Sequence, residues 1–111
     1  MAELSNRSKL DNVDHIAVVV KEIKRAVDWY TQKFNCQIEY QDETWAYLRF
    51  KNINLALVIP EQHPGHIALA VSDAKKFGSL KTHRDGTESV YIKDPDGNTL
   101  ELMEVSSVKK T

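Results

Sequence analysis

His15, His66 and Glu101 are the residues whose types could combine into a reactive centre. Neutral imidazole nitrogen and carboxylate oxygen both donate well to divalent Fe, Mn, Ni, Co or Zn, and the donors alone do not choose among these metals. Three protein ligands leave positions for water or substrate, which marks a catalytic ion rather than a structural one. Such an ion chelates a small oxygenated substrate and stabilises an oxyanion, enolate or alkoxide as it forms. A lone histidine at a strand start is ordinarily a polar edge residue, so the case depends on where the three stand.

They stand at related points of an internal repeat. His15-Ile16-Ala17-Val18-Val19-Val20 returns as His66-Ile67-Ala68-Leu69-Ala70-Val71, each a strand pattern followed by a helical one. After the first, Ile23, Ala26, Val27, Tyr30 and Phe34 recur at offsets of three and four, the stripe of an amphipathic helix. After the second, Ser72 or Asp73 can cap a shorter helix carrying Ala74, Phe77 and Leu80. Each half then returns to strands, at 37–40, 45–50 and 53–59 in the first and at 89–93 and 98–105 in the second, which looks one strand short or compressed. Both halves end in a turn and a strand: Lys51-Asn52 leads to Leu55-Ala56-Leu57, and Asp94-Pro95-Asp96-Gly97, a strong turn signal, leads to Leu100-Glu101-Leu102. This matches Ala56 to Glu101. The spacing is 41 positions from His15 to Ala56 and 35 from His66 to Glu101, so the second copy is shorter by six.

Strand alternation puts Ile16, Val18 and Val20 on the helix side, with Ile67, Leu69, Val71, Leu100 and Leu102. His15, His66 and Glu101 share the opposite face, where Ala17, Ala68 and Ala70 leave room for a ligand. Glu101 is the most telling of the three, because a mid-strand carboxylate on a covered face needs a partner to offset desolvation. The same alternation makes Glu43, Trp45, Tyr47 and Arg49 candidate pocket residues, with Tyr91. Tyr47 or Tyr91 could donate a proton, Arg49 could hold a carboxylate or phosphate, and Trp45 could cover an apolar group. The alternative is that these long side chains simply fill the barrel or meet a dimer partner. His63, beside Pro64, and His83, in a polar 81–86 loop, read as exposed.

With 111 residues, 41% hydrophobic and 28% charged, the chain is one globular domain. We divide it into a flexible segment at 1–12, a domain at 13–105 with modules of about 13–60 and 65–105, and a flexible tail at 106–111. A net charge of -1 provides no field for nucleic acid or an acidic membrane, and Lys21, Lys24 and Arg25 read as a solvated helix face. No apolar run is long enough for a membrane span, and the opening residues lack a signal-peptide core. The single cysteine, Cys36, fits the reducing cytoplasm.

Four segments together resemble the vicinal oxygen chelate superfamily of glyoxalases, bleomycin resistance proteins and extradiol dioxygenases. They are Val13-Asp14-His15-Ile16-Ala17-Val18, Ala26-Val27-Asp28-Trp29-Tyr30, Gly65-His66-Ile67-Ala68 and Asp94-Pro95-Asp96-Gly97-Asn98-Thr99-Leu100-Glu101-Leu102. The resemblance implies an α+β fold of two βαβββ modules forming an open, partly closed mixed β-barrel around one metal, with the second module shortened. It carries the family's ligands onto His15, His66 and Glu101. It also implies a homodimer in which the site is shared between chains. Glyoxalases place a fourth ligand where this chain has Ala56, which weakens a glyoxalase assignment. Two functions follow: a metal-dependent lyase, isomerase, transferase or dioxygenase, with Glu101, Tyr47 and Tyr91 as its catalytic groups, or a metal-independent protein of the bleomycin-resistance kind that sequesters a ligand. The intact His-His-Glu set favours the enzyme.

Overall fold

A computed structural model describes residues 10–108. Strand β1 (Asn12–Val19) is followed by helix α1 (Ile23–Lys33) and then by β2 (Gln37–Gln41), β3 (Trp45–Arg49) and β4 (Asn54–Val58). The second half repeats the order as β5 (His66–Val71), a 3-10 turn (Ala74–Phe77), β6 (Lys81–Thr82), β7 (Glu88–Lys93) and β8 (Thr99–Glu104). All eight strands form one mixed sheet in the order β2-β3-β4-β1-β5-β8-β7-β6. The order is a palindrome about the β1–β5 seam, so each half contributes four strands. The sheet remains open, with β2 and β6 as its edges, and the α+β, barrel-like expectation holds.

The second half is compressed rather than missing a strand. Its fourth strand, β6, survives as two residues in what the sequence suggested was a loop. Its helix is reduced to the 3-10 turn. Asp73 precedes that turn with φ of 56° and makes no side-chain cap; Glu104 Oε1 of β8 accepts the Ala74 N–H instead, at 2.8 Å.

The apolar stripe of α1 does what its spacing requires. Ile23 and Val27 are buried against Ala46, Leu48 and Leu57, with Val18, Val20, Ala26 and Tyr30 packed around them. Beneath the 3-10 turn, Val71, Ala74 and Leu102 form a smaller core with Leu69, Val90 and Leu100. Between these covers the outer seam is thinly roofed: Ile16 and Ile67, expected on the helix side, pair across it yet are 38% and 44% exposed. The short second helix does not reach them.

Two boundaries shift. Asn12 already belongs to β1, and Ser106 and Ser107, read as tail, lie in a 3-10 turn where Ser107 Oγ accepts the Glu88 N–H at 3.0 Å. The rest of the expected flexible ends, 1–9 and 109–111, lies outside the described residues. Among the described residues no helix is long and apolar enough to cross a membrane.

Candidate metal centre

The strand register assembles the site in rows. In one, Tyr91 of β7, Glu101 of β8, Ala68 of β5 and His15 of β1 lie side by side. In the next, Tyr47 of β3, Ala56 of β4, Ala17 of β1 and His66 of β5 do the same. The rows are mirror equivalents across the seam, which bears out the match of Ala56 to Glu101. Ala17, Ala56 and Ala68 are buried and small, which leaves room on this face for the ligand-type side chains, with Trp45 and Tyr47 packed against the cluster that holds Ala17 and Ala56.

His15, His66 and Glu101 are all buried, and one potential ligand atom from each lies within 4.8 Å of the others. His15 Nε2 is 3.4 Å, and His66 Nε2 3.2 Å, from the same oxygen, Glu101 Oε1. Donors around a tetrahedral ion with bonds of ~2.1 Å stand about 3.4 Å apart, so this spacing suits an ion with little rearrangement. All three come from one chain. The reason is topological: antiparallel pairing of β1 with β5 closes the two halves on each other.

The outer nitrogen of each imidazole is already committed. His15 Nδ1 donates to Asp14 Oδ2 at 2.8 Å, and His66 Nδ1 donates to the Pro64 carbonyl at 2.9 Å. With Nδ1 held by these partners, Nε2 is the nitrogen each ring would offer an ion once it is unprotonated, the arrangement that outer partners impose on metal-binding histidines. His66 Nε2 is buried and has no hydrogen-bond partner; its approach to Glu101 is close but misaligned. Buried polar atoms are rarely left unpaired. An electron-pair acceptor at the centre of the three residues would satisfy it.

Without an ion, the Asp14 and Glu101 carboxylates act on the His15 ring. Burial alone would lower the His15 pKa, but hydrogen bonding and charge from Asp14 and Glu101 outweigh it and raise it to about 9. Burial would likewise raise Glu101, yet the neighbouring His15 ring and the Ser89 hydroxyl hold its carboxyl well below the usual range. Tyr47 and Tyr91 are both pushed up, chiefly by burial and then by the charge of Asp14 and Glu101 respectively, so both remain phenols.

The other expected residues divide. Tyr47 joins the centre: its hydroxyl is 3.1 Å from Asp14 Oδ2 and 3.3 Å from His15 Nδ1. Tyr91 packs edge-on to His66, with ring centroids 5.4 Å apart. Trp45 stacks on Tyr40 at 4.7 Å and borders Tyr47, an aromatic wall beside the centre. Arg49 pairs with Glu39 at 2.9 Å and lines a 330 Å³ cavity with Asp14 and Asn54 at the end of the strands. Glu43 is not brought in. β3 begins at Trp45, and Glu43 is an exposed residue of the preceding turn, where Asp42 takes the structural role by accepting the N–H groups of Thr44 and Trp45.

Two histidines read as exposed turn towards the site. His83 Nε2 is 2.6 Å from Ser89 Oγ, which donates to Glu101 Oε2 at 2.8 Å. His63 stacks on Tyr91 with centroids 6.3 Å apart and lies 6.2 Å from His66. A signal for His83 existed in the repeat: Asp42-Glu43-Thr44 and Asp85-Gly86-Thr87 are the same turn, so His83 is the counterpart of Tyr40.

The chain is similar to several solved structures that it covers almost end to end. A hypothetical protein from Bacillus halodurans C-125 aligns at 19% identity over 93% of this chain and 98% of its own, with a TM-score of 0.70. A glyoxalase/bleomycin resistance protein/dioxygenase superfamily member from Vibrio splendidus 12B01 aligns at 12% identity over 86% and 99%, with a TM-score of 0.67. A methylmalonyl-CoA epimerase variant from Streptomyces coelicolor aligns at 15% identity over 90% and 98%, with a TM-score of 0.66. At these identities the likeness is one of fold. Comparison with curated proteins gave no match. A family model matches residues 12–102, and on that match the chain belongs to the Glyoxalase/Bleomycin resistance protein/Dioxygenase superfamily.

Proposed function

We propose that this protein is a divalent-metal-dependent enzyme of the glyoxalase/dioxygenase type, acting on a small oxygenated substrate. The observation that carries the reading is His66 Nε2, a buried lone pair without a partner in the middle of a His-His-Glu set. His15, His66 and Glu101 would hold the ion, which supplies Lewis acidity towards substrate oxygen and stabilises an oxyanion or enolate. Asp14 and the Pro64 carbonyl orient the two imidazoles. Tyr47 and Tyr91, kept protonated by burial, are hydrogen-bond donors on opposite sides of the centre and the candidates to move a proton. Trp45 covers an apolar part of the substrate, and Arg49 could exchange Glu39 for a substrate anion. The reaction would be of the lyase, isomerase, transferase or dioxygenase kind, and a methylmalonyl-CoA epimerase is among the proteins that share the fold.

The competing reading, metal-free ligand sequestration, draws on the Tyr40–Trp45 wall but leaves His66 Nε2 unexplained. A cytoplasmic homodimer belongs to the same proposal; β2 is exposed at every residue and offers an edge for assembly, although no ligand is needed from a partner. Elemental analysis of the purified chain, with metal titration of wild type, His66→Ala and Glu101→Ala, tests the enzyme reading. We expect one equivalent in wild type and its loss in both variants; metal content unchanged by both substitutions overturns it.

A further inference from the structure

Ser89 and His83 stand apart from the donor set yet bond to nothing else of consequence. Ser89 is 1% exposed and His83 is half-buried. Serine has a single hydroxyl proton. Because that proton goes to Glu101 Oε2, the 2.6 Å contact with His83 must run from His83 Nε2–H to Ser89 Oγ. At 3.5 Å, His83 Nε2 is too far from Glu101 Oε2 for a good direct bond, so the path goes through the serine. The result is a directed chain, His83 to Ser89 to Glu101, ending on a carboxylate.

The fold does not need this chain. The backbone at His83 is fixed by the turn, through His83 N–H to the Thr87 carbonyl at 2.8 Å and Gly86 N–H to the His83 carbonyl at 3.0 Å. In the first half the equivalent positions hold Tyr40 and Trp45, stacked on each other, and the equivalent of Glu101 is Ala56. The polar pair is therefore present only in the half that has a carboxylate to hold.

We propose that Ser89 and His83 are positioning residues that bind Glu101 Oε2 and so commit Oε1 alone to the ion between His15 and His66. This rests on the metal-dependent reading above. Without the pair, the carboxylate is free to offer both oxygens or to rotate away, and outer partners of this kind typically carry about 10–100-fold in metal affinity.

The test is titration of the full chain with Co²⁺, whose visible absorption reports coordination number. Ser89→Ala and His83→Ala should each bind one equivalent about 10–100-fold more weakly, with altered band intensity. Ser89→Thr and His83→Gln, which keep the hydroxyl and the N–H, should recover both. Metal-free Ser89→Ala, which loses a hydrogen bond to a buried carboxylate, should melt below wild type, whereas metal-free His83→Ala should melt at the wild-type temperature. Wild-type affinity and spectrum in both alanine variants, while Glu101→Gln loses cobalt, would overturn the inference and leave the enzyme reading standing. Weaker binding with an unchanged spectrum in both variants and a lower melting temperature for metal-free His83→Ala would assign the pair to packing and overturn it too. A second cobalt equivalent lost only in His83→Ala would make His83 a ligand instead. No cobalt bound by wild type would remove the enzyme reading and this one together.

Discussion

The row Tyr47–Ala56–Ala17–His66 and the row Tyr91–Glu101–Ala68–His15 have the same backbone register and opposite chemistry. Each supplies a tyrosine, an alanine platform and a seam histidine. Only the second supplies a carboxylate, and only there is the neighbouring pair polar. Each histidine is also anchored differently, His15 by the Asp14 side chain and His66 by the Pro64 backbone. Gly65, the counterpart of Asp14, has no room to copy it freely, since a Cβ there would lie 3.3 Å from the Ala17 carbonyl oxygen. One scaffold duplicated thus yields a three-donor centre instead of a symmetric four-donor one. On the metal-dependent reading proposed above, the missing fourth donor would leave coordination positions for substrate.

Replacing Glu101 by Gln is the harshest break in this asymmetry, because it makes the two rows equally poor in charge; stoichiometric metal should vanish, as read by elemental analysis. Ala56→Glu breaks it the other way. A carboxylate without a counter-ion at a buried site is costly, so the metal-free variant should melt well below wild type. Added Co²⁺ or Zn²⁺ should recover more stability than it gives wild type, since a ligand stabilises the state that binds it; equal shifts would mean that Ala56 does not face the centre. A milder contrast is pH. Metal binding requires unprotonated His15, whose proton is retained up to about 9, so affinity should rise between pH 6.5 and 8.5 in wild type. Asp14→Asn, which removes one source of that retention, should flatten the rise in a titration repeated across the range. The smallest effect compares the matching turns. Asp42 accepts from Thr44, Trp45 and Tyr40, whereas Asp85 accepts from Thr87 alone. Asp42→Ala should therefore lower the melting temperature more than Asp85→Ala.

His15, His66 and Glu101 were legible because strand alternation and a repeated hexapeptide are local patterns that survive in sequence. Ala56 was legible for the same reason, through its matched leucines. His83 was missed although the matched turns pointed to it, because the strand before it is two residues long and leaves no period to detect, and its direction is decided by Ser89 across a turn. Glu43 failed where alternation was extended past the start of β3 into a turn. That one chain can gather all three donors was not legible, because the pairing of β1 with β5 is a long-range choice that no local signal records.

That pairing has a consequence for how the chain folds. His15 stands on one side of the seam, and His66 and Glu101 on the other, so neither half owns a site and any ion bound there is a rivet through both. Opening the seam first would have to release the rivet. Metal supply should then govern how long the folded chain survives proteolysis, a lifetime set by the rate of opening rather than by equilibrium stability.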